Sequence, residues 1–165
     1  MKKKFILSMV VLACMSFASM GFAANNFSVT ADELEYNLKT GDGVAKGNVV
    51  LMQDGGKATC NEANFNSKTK SGTLTGNVVA NRGDESIVCS QFVMHNENDV
   101  SAIGGAVVSK GGRSLSSERI DYYKSRQFAE TTGGWAKLRD TDGSVLNASK
   151  IAYDMKAGVA NAYGG

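Results

Sequence analysis

The chain is 165 residues long, with 18 lysines and arginines against 16 aspartates and glutamates, 19 glycines and no proline. That length supports one domain with a buried core but not two. No basic stripe interleaved with aromatic residues marks it for nucleic acid, and abundant glycine without proline points to many paired strands joined by tight turns.

Residues 1–23 carry the three parts of an export signal: the basic start Met1-Lys2-Lys3-Lys4, an apolar run beginning at Phe5-Ile6-Leu7, and Gly21-Phe22-Ala23 before the expected cleavage. The apolar run is short for a membrane-spanning helix. Its retention as an anchor is the alternative, and Val11-Leu12-Ala13-Cys14 approaches a lipid-attachment site but for the bulky Leu12. Removal of Lys2, Lys3 and Lys4 leaves 15 basic residues against 16 acidic ones, a net charge of −1, on a single exported domain over residues 24–165.

After an extended start from Phe27 to Thr30, one pattern recurs at intervals of 29 residues. Ala31-Asp32-Glu33-Leu34-Glu35-Tyr36, Cys60-Asn61-Glu62-Ala63-Asn64-Phe65 and Cys89-Ser90-Gln91-Phe92-Val93-Met94 open three units. Ser117 to Tyr122 and Ala148 to Tyr153 open a fourth and a fifth after slips of one or two residues. A second predicted strand completes each of the first four: Gly47-Asn48-Val49-Val50, Gly76-Asn77-Val78-Val79, Gly105-Ala106-Val107-Val108 and Gly134-Trp135-Ala136-Lys137. Turn signals such as Thr40-Gly41-Asp42-Gly43, Arg82-Gly83-Asp84 and Lys110-Gly111-Gly112 separate the runs. The chain thus reads as all-β and repeat-built, about five units of roughly 29 residues.

Period-two alternation assigns the faces. The openings turn bulky residues inward: Leu34, Tyr36 and Leu38, then Phe65, Phe92, Met94, Ile120, Tyr122, Ile151 and Tyr153. The second strands add a slimmer inward row of glycines with Val49, Leu51, Val78 and Val107. Two readings follow: an ordinary two-layer core, in which glycine makes room for an aromatic of the facing sheet, or an elongated apolar slot able to take acyl chains. Phe27 and Val29 near the start, and Val159 and Ala160 near the end, are expected on unpaired strand edges that recruit partners.

No motif assembles catalytic, metal-binding or cofactor-binding groups, so no enzyme activity is expected. His95, the sole histidine, adjoins Met94 and Asn96 and reads as a solvated or hydrogen-bonding strand residue. Asp32, Glu33 and Glu35 read as a wet strand face, and Asp140, Asp142 and Gly143 as a turn lacking the further ligands of a calcium loop. Cys60 and Cys89 hold the same place in consecutive units. On directly neighbouring strands they would lie about 5 Å apart, within reach of a disulfide; two strands apart, at nearly 10 Å, they would remain free thiols.

The opening Ala31, Leu34, Tyr36 and the signature Gly47-Asn48-Val49 and Gly76-Asn77-Val78, alternating after an export signal, resemble the LptA/OstA-like family of periplasmic lipopolysaccharide transport proteins. The likeness covers essentially the whole mature chain. It implies a twisted, semi-open antiparallel β-jellyroll in the periplasm whose apolar interior holds the acyl chains of lipid A. It further implies edge-to-edge assembly, head to tail with itself and with homologous β-jellyroll domains of inner- and outer-membrane partners, carrying lipopolysaccharide between the membranes. The irregular fourth and fifth units and the two repeat cysteines are departures. A retained signal would shift the likeness to the membrane-anchored, LptC-like inner-membrane partner of the same pathway. A structural β-repeat envelope protein with a filled core is the other alternative.

Overall fold

The computed structural model describes residues 28–164 except 54, 55, 67, 70, 97 and 155. The expected signal, Cys14 and Phe27 lie outside the described residues. The strands are β1 (Ser28–Thr30), β2 (Glu33–Tyr36), β3 (Asp42–Gln53), β4 (Gly56–Asn66), β5 (Ser71–Arg82), β6 (Glu85–Met94), β7 (Asp99–Lys110), β8 (Arg113–Tyr123), β9 (Phe128–Arg139), β10 (Val145–Ala148), β11 (Lys150–Asp154) and β12 (Val159–Tyr163). All twelve belong to one sheet, ordered β1-β3-β4-β5-β6-β7-β8-β9-β11-β12, with β2 also on β3 and β10 also on β9. Every pairing is antiparallel. Two strands make one unit, and the sheet does not close into a barrel.

Each long strand shifts register at its middle: between Lys46 and Val49 on β3, Thr59 and Glu62 on β4, Thr75 and Val78 on β5, Val88 and Gln91 on β6, and Ile103 and Ala106 on β7. These bulges line up across the sheet. A bulge bends its strand and sharpens the twist, and residues are buried on both sides of the line, Leu74 and Val78 on β5 or Cys89 and Phe92 on β6. The sheet therefore folds along this crease into two layers around one core.

The chemistry of the crease is the Gly-Asn signature. Gly47 and Asn48 have φ of 76° and 48°, and Gly76 and Asn77 of 83° and 48°, conformations that glycine adopts freely and asparagine tolerates. Space matters as much as conformation. A Cβ on Gly47 would lie 2.3 Å from Asp32 Oδ2, on Gly76 2.4 Å from Asn61 Nδ2, on Gly104 2.6 Å from Ser90 Oγ, on Gly133 2.5 Å from Glu118 Cβ, and on Gly164 2.5 Å from Ser149 Oγ. Those partners are the second residues of the five openings, so one contact is made five times. At the first of them the Asp32 N–H donates to the Gly47 carbonyl at 2.8 Å, and the Asn48 amide donates to Asp32 Oδ2 at 3.0 Å.

This crease overturns one expected placement. In the third unit the positive-φ pair is Gly104-Gly105, at 87° and 58°, one residue earlier than the 29-residue spacing puts it. Ala106 therefore takes the fully buried place of Val49 and Val78. Val107 pairs with Val88 on the outer face and is only half-buried. In the fourth unit the bulge holds one more residue, from Thr132 to Ala136 opposite Arg119 and Ser117. Trp135 consequently stands exposed on the crease, with the Ser117 hydroxyl 2.9 Å from its carbonyl.

Candidate binding interior

The inward face is apolar from strand to strand. In the first layer, Ala45, Ala63, Leu74, Phe92, Ala102 and Ile120 are aligned in one cross-strand row and all are buried. Nearer the turns, Met94, Val100, Tyr122, Ala129 and Tyr153 form another. The second layer contributes Leu51, Ala58, Ala80, Ile87, Val108 and Leu115. Phe92, Met94, Ile120, Tyr122, Ile151 and Tyr153 are each at most 3 % exposed, as are Val49, Leu51 and Val78.

The bulky row of Phe92, Met94, Ile120 and Tyr122 lies in the first layer, and the slimmer Leu51, Ala80 and Val108 lie in the second. Two further glycines sit beside large side chains within the first layer itself. Gly43 pairs directly with Phe65, whose ring covers it so closely that a Cβ there would lie 2.0 Å from the ring's Cζ. Gly72 pairs with Phe65 on one side and Met94 on the other, and a Cβ there would lie 3.2 Å from Met94 Cε and 2.7 Å from the Asn64 carbonyl oxygen. Such cross-strand cover of a glycine by an aromatic is worth up to about 1 kcal/mol per pair. Phe65 is half-buried and stacks on Tyr36 at a centroid distance of 6.0 Å. Beside them the turn-side rim opens into a groove of about 510 Å³ lined by Gly43, Phe65, Gly72, Met94 and His95 among others.

Leu34 departs from its expected enclosure. It shares the inward face, paired with buried Ala45, but is 53 % exposed. Its strand β2 pairs only with β3 among the described residues, so no further strand covers it. Leu38 lies past the end of β2 and is 79 % exposed. Both ends of the sheet are split into short edge strands, β1 and β2 at one end, β10 and β12 at the other. Val29 pairs with Leu51 and Ala160 with Tyr153, both half-buried against the core, while Val159 pairs with Asp154 and is exposed.

Cys60 and Cys89 lie on β4 and β6, separated by β5, and are free and buried. Burial pushes both thiols up to about 11, which keeps them protonated and unreactive at neutral pH.

Three polar features escaped the sequence reading. Glu85, 3 % exposed, continues the inward alternation of Ile87 and Cys89, and Lys110 Nζ lies 2.5 Å from its Oε1. Arg113 Nε bonds Asp140 Oδ1 at 2.8 Å on the same rim. Burial pushes the Tyr153 hydroxyl up to about 12, with the Arg113 charge pulling the other way. Glu85 follows the turn signal Arg82-Gly83-Asp84 directly and was given no role in the sequence reading, although it shares the phase of Ile87 and Cys89. Outside, His95 Nε2 lies 2.8 Å from Ser101 Oγ, which donates to Asp121 Oδ1 at 2.5 Å, while Arg119 Nε bonds both Asp121 oxygens at 3.0 Å. The serine stands between the histidine and the carboxylate, and it is 1 % exposed. That order leaves the histidine no acid to orient it as a base for the serine, and the network pins β6, β7 and β8 together.

A creased, open antiparallel jellyroll made of repeated two-strand units is the class of protein these elements define. The chain belongs to the family described as LptA/(LptD N-terminal domain) LPS transport protein, whose model matches residues 57–159. Among solved structures it is similar to LptH of Pseudomonas aeruginosa, the LptA-homologous periplasmic component of a lipopolysaccharide transport device. That similarity spans 84 % of this chain and 82 % of that one at 20 % identity, with a TM-score of 0.42. A comparison with curated proteins finds no match.

Proposed function

We propose that the chain is a periplasmic carrier that holds the acyl chains of lipopolysaccharide between its two layers and hands them on through edge-to-edge assembly. The observation that carries this reading is the continuity of the apolar inward face. It runs from exposed Leu34 at one edge of the described sheet, through Phe92 and Tyr122, to Tyr153 and Ala160 at the other. The layers join along the crease, and no strand pairing links their turn-side rims among the described residues, so chains can enter sideways. Split edges whose outer strands pair on one side only among the described residues favour strand addition by a second copy or a homologous domain. Export by cleavage after Ala23 delivers the chain to that compartment.

The test is photocrosslinking. A crosslinker at Phe92 should label with lipopolysaccharide, and one at outward-facing Glu35 should not. Labelling at Glu35 with none at Phe92 would place the lipid outside the sheet. A filled-core spacer, the competing reading, gives no adduct at either position.

A further inference from the structure

We propose that the second layer's turn-side rim is a head-group subsite, where the free oxygen of Glu85 accepts a hydrogen bond from a hydroxyl of a sugar-bearing amphiphile. The inference rests on the proposed function, since it places that amphiphile's chains in the interior. Arg82, Glu85, Lys110 and Arg113 occupy one cross-strand row at the ends of β5 to β8, two residues beyond the apolar row of Ala80, Ile87, Val108 and Leu115. Polar and apolar lining thus meet on one face. Glu85 is 3 % exposed, and its Oε1 is taken by Lys110 at 2.5 Å, yet its Oε2 is buried with no hydrogen-bond partner among the described residues.

A buried carboxylate oxygen without a donor is costly to the fold, and native proteins rarely leave one so. The missing donor is not a metal ion, because the row offers one carboxylate, already paired with Lys110, and Asp140 on the same rim is taken by Arg113. A neutral O–H fits. It completes the valence of Oε2 without adding charge, and the neighbouring cations tolerate an anionic group elsewhere on the same head.

Two amphiphiles with the same twelve-carbon chain separate head from tail: dodecyl maltoside, rich in hydroxyls, and dodecylphosphocholine, which has no hydrogen-bond donor. Each is titrated below its micelle concentration into the full mature chain. Glu85→Gln keeps a carbonyl oxygen for Lys110 and puts an amide nitrogen, which cannot accept, in the place of Oε2. It should weaken maltoside binding about tenfold, the factor that about 1.4 kcal/mol produces, and leave phosphocholine binding within about twofold. Glu85→Asp keeps the charge and the Lys110 partner but withdraws the carboxylate by one methylene, and should lose the same discrimination without a folding defect. Equal effects on both amphiphiles, or none, would overturn the subsite while leaving the apolar interior standing. Failure of the parent chain to bind either would overturn both.

Discussion

Alanine in place of Gly76 tests whether the crease is held by conformation alone or by the contact repeated beneath it. At Gly105, φ is 58° and an added Cβ meets nothing within 4 Å, so Gly105→Ala should cost only left-handed backbone strain, about 1–2 kcal/mol. At Gly76, φ is 83° and the new Cβ would lie 2.4 Å from Asn61 Nδ2 and 2.9 Å from Asn61 Cβ. Rotating the amide relieves the first overlap but not the second, because Cβ is fixed by the β4 backbone. Overpacking of that kind adds about 1–3 kcal/mol, for a total of about 2–5 kcal/mol with the strain. Asn61→Gly in the Gly76→Ala background should return the overlap energy, less about 0.5–1 kcal/mol for glycine in a strand. Urea unfolding followed by far-ultraviolet circular dichroism reads all four variants, and the double-mutant cycle isolates the coupling. If Gly76→Ala costs no more than Gly105→Ala, or if Asn61→Gly gives no coupling, the repeated contact does not shape the crease and the argument built on it fails.

Phe92→Ala should lose about 3–5 kcal/mol of stability, since that ring is 1 % exposed, whereas Leu34→Ala at the open edge should change the urea midpoint by no more than about 0.5 kcal/mol equivalent. Raised thiol values at Cys60 and Cys89 contribute stability that is present below the unfolded thiol range near 9 and is lost as pH rises through about 11. Unfolding midpoints should therefore fall over that window, and less steeply in Cys60→Ser/Cys89→Ser; an unchanged slope in the serine variant would remove the thiols from the account. Neighbouring residues of an edge strand aim their N–H groups oppositely, so of Val159→Pro and Ala160→Pro one removes an outward donor and the other a donor to β11. Only the former should abolish concentration-dependent oligomers in light scattering while keeping the parent's melting temperature, and oligomers persisting in both would move the contacts to the sheet faces.

The repeat interval made the two-strand unit legible, but Gly47-Asn48 and Gly76-Asn77 read as parts of straight strands, and their bends emerged only from the backbone. Alternation failed where the bends themselves reset it. A one-residue slip turns every following side chain to the other face, and the slip at Gly104 carried Val107 outward in favour of Ala106. Leu34 had the right face and the wrong exposure, because alternation along one strand says nothing about whether another strand lies beyond it. One reading had glycine make room for an aromatic of the facing sheet; at Gly43 the ring that fills the gap is Phe65, from the neighbouring strand of the same layer. The link from His95 through Ser101 to Asp121 joins three strands, and no local spacing encodes it.

The contact of Asp32 on Gly47, repeated by Asn61, Ser90, Glu118 and Ser149 on their own glycines, makes the molecule modular in length. Each unit is closed by the same internal joint and pairs with the next through like strands, β5 with β6 and β7 with β8, so a copy of residues 60–88 spliced in at Cys89 finds on both sides strands of the kind it left. Neither terminal edge would change. Two added strands would widen the sheet by roughly 10 Å, so the span of one protein could be tuned in whole units, independently of how many copies join.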